Sequence, residues 1–130
     1  MGKITFGPSR FRRLPNGIYR ARLIRIEEGM GKYEKPVYEP WFEILTEPHR
    51  HSELKDIINK EGANAKNSKL CQMIRALRPD FNVVEFAEIE LDELIGLACY
   101  IKTEWRKEKN IGITQYFALT VLEDIDRGSA

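Results

Sequence analysis

No run of this 130-residue chain approaches the roughly 18 to 20 uninterrupted apolar residues that a membrane span requires. The N-terminal stretch also lacks the apolar core of a secretory signal, reading Lys3, Phe6, Arg10, Phe11, Arg12, Arg13 and Pro15 instead. A soluble cytoplasmic protein without membrane contact is the expectation. Cysteine is scarce as well: Cys71 and Cys99 are the two, and both fall inside apolar-patterned segments. Two buried thiols in a reducing compartment are expected, not a disulfide framework. There is no Gly-rich phosphate loop, nucleophile elbow or paired-cysteine zinc signature. His49 and His51 flank Arg50, but zinc asks for about three or four protein ligands, and no cysteine or third histidine stands near them. The acidic run through Glu85, Glu88, Glu90, Asp92 and Glu93 reads as a solvated connector, with no general acid set against a base. Non-catalytic function, with neither metal nor cofactor, follows from these absences.

Acidic residues are themselves missing from the first part of the chain. Between Met1 and Ile26 stand Lys3, Arg10, Arg12, Arg13, Arg20, Arg22 and Arg25 with no Asp or Glu, although the net charge of the whole chain is only +1. The rest of the chain is therefore net acidic. Such asymmetry suits a phosphate-facing edge, with a basic arm that simply keeps a terminus solvated as the plainer alternative.

One domain is expected from the length, with 1–16 as a basic arm, 17–125 as the folded unit and 126–130 as a tail. Pro15, Asn16 and Gly17 signal a turn, after which Ile18 to Glu27 alternates as a strand with Tyr19, Ala21 and Leu23 on one face and Arg20 and Arg22 on the other. Ile24 and Ile26 carry the apolar set on the opposite parity, which predicts a bulge between Leu23 and Arg25. A second strand is predicted over 37–46, with Phe42 and Ile44 inward and Trp41 and Glu43 outward. A third spans about 52–59, its register open because Leu54, Asp56 and Ile58 are offset from Ile57. A helix is predicted between a cap at Asn67 or Ser68 and the stop at Pro79, burying Leu70, Ile74 and Leu77 and presenting Lys69, Gln72 and Arg75 on the other face. Two strands close the domain, one alternating over 97–105 and one over 113–122 in which Gln115 breaks the parity, joined by a polar hairpin over 106–112.

Strand, strand, strand, helix, strand, strand is the element order of an all-β fold with one helix, the five-stranded, partly open Greek-key barrel of the oligonucleotide-binding (OB) type, with its helix between strands three and four. An SH3-like barrel or an open α+β sheet shares much of this pattern but does not account for the helix.

The residues also resemble a known group. Gly17-Ile18-Tyr19 with Ala21 and Leu23, then Ile26-Glu27, Gly29, Lys32-Tyr33 and Trp41-Phe42-Glu43-Ile44-Leu45, are similar to small phage and bacterial OB-fold proteins described as single-stranded-DNA-binding. Ser68-Lys69-Leu70 with Ile74-Arg75-Ala76-Leu77, and Leu91 with Glu93-Leu94-Ile95-Gly96 ahead of Cys99, agree with it. The resemblance covers 17–99 and rests on structural glycines and core positions. It implies a bacterial or phage-infected cytoplasm, a role in DNA replication or recombination, and no catalytic residue. The long acidic tail of housekeeping single-stranded-DNA-binding proteins has no counterpart in Glu123 to Ala130, so recruitment of partners by a tail is not expected.

Single strands are held by cations along the backbone and by aromatic faces on which bases stack. The candidate stackers are Tyr33, Tyr38, Trp41 and Trp105, and the candidate phosphate contacts are Arg20, Arg22, Lys32, Lys35, Lys102 and Lys107. Trp41 and Trp105 serve equally well as core or end plugs. Expected partners are single-stranded DNA, with RNA as the alternative polymer, replication or recombination proteins, and a second copy paired through strand edges. An OB protein-protein adaptor that binds no nucleic acid is the competing function, and it needs a bare apolar patch.

Overall fold

A computed structural model describes residues 14–65, 67–82, 87–106 and 110–120. The arm residues Lys3, Phe6, Arg10, Phe11, Arg12 and Arg13, the candidate Lys107 and the tail 126–130 lie outside them.

Six strands and one α-helix make up the described chain: β1 (Gly17–Met30), β2 (Pro36–Ile44), β3 (Glu53–Lys55), β4 (Ile58–Asn59), α1 (Lys69–Leu77), β5 (Ala98–Arg106) and β6 (Asn110–Phe117). All pair antiparallel in a single sheet of order β3-β2-β1-β5-β6, with β4 also on β2. The long β1 is central, and its alternation decides which side is core. Tyr19, Ala21 and Leu23 are buried, and Arg20 and Arg22 are exposed on the other side. The β1–β2 register slips between Leu23 and Arg25, so the predicted bulge is there, and it turns Ile26 onto the core. Leu23 at that point pairs onward through its N–H to the Leu97 carbonyl and its carbonyl to the Gly96 N–H, so both of its own backbone groups are used.

Phe42 and Ile44 from β2, Cys99 and Ile101 from β5 and Ile113 from β6 are fully buried with Leu23 in one core, capped by Leu70, Met73, Ile74 and Leu77 of α1. Ser68 caps the helix as the sequence predicts, its Oγ accepting the Cys71 N–H at 3.0 Å. Both cysteines are free and buried. The apolar surroundings push the Cys99 thiol up to about 12.

Three expectations need correction. The expected third strand is two short strands, because Pro40 of β2 sits opposite their junction and has no N–H to give; Asp56 there turns inward, its own N–H on the Pro40 carbonyl at 3.0 Å. The sheet thus has six strands rather than five, and its backbone ladder is open, with β3/β4 at one edge and β6 at the other. The final hairpin is also tighter than expected, since pairing continues to Arg106 and Asn110; a slip between Lys102 and Thr103 lets both Ile113 and Tyr116 face the core, which is the parity break that Gln115 signals.

Lys69 departs from its predicted place on the solvent face of the helix. Its Nζ reaches the Asp56 carboxylate at 2.9 Å and donates to the Ile113 carbonyl at 2.6 Å. Tyr116 donates to the other Asp56 oxygen at 2.6 Å, and the Ile57 N–H completes that carboxylate's partners at 2.8 Å. Side chains of the β3–β4 junction, α1 and β6 therefore bridge the two edges that the backbone leaves unpaired. Phe42 packs beneath, its ring tilted 44° to that of Tyr116 with the centroids 5.7 Å apart. Burial, and then the neighbouring Asp56 charge, raise the Tyr116 hydroxyl well above its ordinary 10.

Candidate nucleic-acid interface

The outer face of β1, β2 and β3 is laid out by strand parity. Trp41 is paired with Arg25 of β1 on one side and Lys55 of β3 on the other, so these three form one row across three strands. The Arg25 guanidinium lies 4.3 Å from the indole centroid and the Lys55 ammonium 5.5 Å from it. The next row is Arg22, Glu43 and Glu53, and on the far side Glu27 pairs with Glu39. The bulge at Leu23–Arg25 puts both Arg22 and Arg25 on this face although their spacing is odd.

Three cations of the face each meet a carboxylate. Arg22 meets Glu43 at 2.7 Å, Arg25 meets Glu27 and Glu53 at 3.0 Å each, and Lys55 meets Glu39 at 2.7 Å. Glu39 reaches across Gly29, where an added Cβ would come within 2.5 Å of its Oε1, so glycine leaves the room for this carboxylate. Glu43 is also bonded by His51 Nδ1 at 3.2 Å. That bond, and then Arg22, hold the Glu43 carboxyl below the ordinary 4.5 against the opposing effect of desolvation. Trp41 is half-buried, and its indole N–H has no hydrogen-bond partner among the described residues.

The candidates divide by position. Arg20, Arg22 and Trp41 share the outer face, Arg20 exposed beside Thr46, whose hydroxyl accepts its backbone N–H at 2.9 Å. Lys32 and Tyr33 lie in a 3-10 turn (Lys32–Glu34) between β1 and β2, with Tyr33 90% exposed and in the left-handed region at φ 64°. Lys35 beside them pairs with Glu61 at 3.5 Å. Tyr38 belongs to the other parity of β2 and packs on the core, with Lys60 4.9 Å over its ring. Lys102 lies on β5, 3.5 Å from Glu104. Trp105 is half-buried at the end of β5, tied to the chain leading into β1 by its Nε1 on the Leu14 carbonyl and its N–H on Asn16 Oδ1. His49 meets the Tyr19 ring edge-on at 5.8 Å.

Arg25, Lys55, Glu39 and Glu53 belong to the face and were not among the sequence candidates. The parity of Trp41 alone points to Glu39 and Glu43; the cross-strand neighbours Arg25 and Lys55 need the register, which the bulge and the split third strand conceal. Among the described residues no group of three or more His, Cys, Asp or Glu is arranged to hold a metal, and no helix is long and apolar enough to cross a membrane. No protein-family model matches the sequence, and no curated protein matches it.

Proposed function

We propose that the protein is an OB-type barrel that binds single-stranded DNA, without catalysis and with weak sequence preference, in replication or recombination. The single observation that carries this reading is the row Arg25, Trp41, Lys55 on the outer face of three adjacent strands, flanked by Arg22 and Arg20. An aromatic face between cations is the unit from which single-strand sites are built: bases stack on the ring and phosphates meet the charges. A half-buried tryptophan whose N–H lacks an acceptor among the described residues is a poor choice for stability, since an orphan donor costs about 1 to 3 kcal/mol. The helix lying between β4 and β5, and the side-chain bridge from the β3–β4 junction to β6, support the barrel reading. Tyr33 and Lys35 at the β1–β2 turn extend the proposed path beyond the sheet. RNA offers the same stacking faces and phosphates and is the alternative polymer. The adaptor reading asks for a bare apolar patch, whereas among the described residues Ile18 and Met30 sit near opposite ends of β1 and Ile57 and Ile95 in two separate connections.

Anisotropy of a labelled oligo-dT, titrated at low and moderate salt, tests the proposal. Wild type binds at low salt and more weakly as salt rises. Trp41→Ala loses about 5- to 150-fold, the span that corresponds to stacking one base. Absence of binding by wild type at low salt contradicts the reading.

A further inference from the structure

The outer face is not a basic patch. Arg20, Arg22, Arg25 and Lys55 share it with Glu27, Glu39, Glu43 and Glu53, and three of the four cations are already engaged. Glu39 and Glu43 are well sheltered for surface carboxylates, each side chain 19% exposed. A phosphate that approaches Arg22 or Lys55 therefore meets a seated carboxylate first. Exchanging one anion for another at the same guanidinium or ammonium gains little, and the displaced carboxylate is left facing the incoming charge. Stacking on Trp41 meets no carboxylate among the described residues: the groups over the ring are the Arg25 guanidinium at 4.3 Å and the Lys55 ammonium at 5.5 Å, which a stacking base displaces toward the phosphates that arrive with it.

Resting on the single-strand reading above, we propose that Glu39, Glu43 and Glu53 act as an internal competitor for phosphate, making the face select a strand that offers bases to Trp41 over a bare polyanion. In this arrangement Arg22, Arg25 and Lys55 supply position, and the ring supplies the gain that lets phosphates replace the glutamates. The expected salt slope is correspondingly shallow, since cations neutralised by glutamate release few counterions on binding. Removing the glutamates turns the same surface into an ordinary basic patch that takes polyanions by charge alone.

The test compares labelled oligo-dT with inorganic polyphosphate of equal charge, both titrated against wild type and against the triple variant Glu39→Gln, Glu43→Gln, Glu53→Gln. Wild type is expected to prefer oligo-dT by about tenfold or more, the gain of one stacked base. The triple variant is expected to bind polyphosphate nearly as well as oligo-dT, with a steeper salt slope. A control variant, Glu88→Gln, Glu90→Gln, Asp92→Asn, removes the same charge from an exposed segment off this face and is expected to keep the wild-type preference. Glutamine retains an acceptor at each site, and Glu53→Gln alone, at a side chain 46% exposed, gives a smaller change in the same direction if the triple variant melts early. Equal preference in wild type and both variants, or equal loss in the two triple variants, overturns the competitor role and leaves single-strand binding standing. Failure of wild type to bind oligo-dT at low salt overturns the single-strand reading, and the competitor role with it.

Discussion

Two regions of the molecule are built from the same chemistry, acid against base beside an aromatic ring, and burial gives them opposite roles. On the outer face Arg22, Arg25 and Lys55 meet glutamates around Trp41 while remaining 37% to 48% exposed. At the gap between the sheet's edges Asp56, 5% exposed, is met by Lys69 and by the buried Tyr116 over the ring of Phe42. Exposed pairs of the first sort are worth about 0 to 1 kcal/mol because water competes for every partner. A buried carboxylate has no such alternative, so all its bonds must be made within the fold. The outer lattice can therefore exchange partners with a ligand at small cost, and the inner one holds two sheet edges together.

The largest effect expected to break this contrast is that of Asp56→Ala. It strands the Lys69 ammonium and the Tyr116 hydroxyl, and is expected to cost about 3 to 5 kcal/mol in chemical denaturation. A loss under about 1 kcal/mol would mean that the gap is not held by this carboxylate.

Much of this architecture is legible in the sequence, and what is not has a local cause. Alternation around Tyr19, Ala21 and Leu23 identifies the core side of β1, and the parity change at Ile24 and Ile26 locates its bulge. The stretch from Ser68 to Pro79 yields α1 with its cap. Asp56 and Lys69 were hidden because a charged residue in a strand or on a helix reads as solvent-facing unless its partner is known, and these partners are 13 residues apart and, for Tyr116, 60. On the outer face Trp41 and Arg22 could be found by parity, but Arg25 and Lys55 depend on a slipped register and on Pro40 breaking the third strand. Trp105 illustrates the same limit: its sequence context leaves the ligand-facing and end-plug roles both open, and its bonds to the Leu14 carbonyl and Asn16 Oδ1 depend on partners 91 and 89 residues away.

Alkali gives the next largest effect, and it falls chiefly on buried groups. Cys99 is raised from 9.0 to about 12 and Tyr116 lies well above 10, so above these ordinary values the unfolded chain releases protons that the native one keeps. Fewer protons on the unfolded state means that stability falls as pH rises, at about 1.4 kcal/mol per unit for each group. Thermal midpoints should decline from pH 9 upward, and the part due to Tyr116 should disappear in Tyr116→Phe. At neutral pH Tyr116→Phe removes one donor from Asp56 and should cost about 1 to 3 kcal/mol, again by denaturant titration. No loss would indicate that Lys69 and the Ile57 N–H suffice for that carboxylate.

The smallest effects sharpen the other half of the comparison. Arg22→Ala and Lys55→Ala should each change stability by less than about 1 kcal/mol while weakening oligo-dT binding. Glu43 titrates in the opposite direction from the inner groups: its carboxyl is held below 4.5, so its contribution is present above that value and is lost as pH falls through its lowered native value. A shallow acid-side decline in the thermal midpoint, absent in Glu43→Gln, is the expected sign. A decline of alkaline size would place this pair with the buried ones.

Fluorescence gives the most direct access to the central claim, that bases stack on the exposed side of the Arg25, Trp41, Lys55 row. The chain holds two tryptophans, and in Trp105→Phe the remaining emission comes from Trp41. Titrating that variant with unlabelled oligo-dT at low salt should quench the emission to a plateau, with the same midpoint that anisotropy reports for the labelled strand. Emission unchanged while the strand demonstrably binds would mean that the nucleic acid sits elsewhere on the molecule.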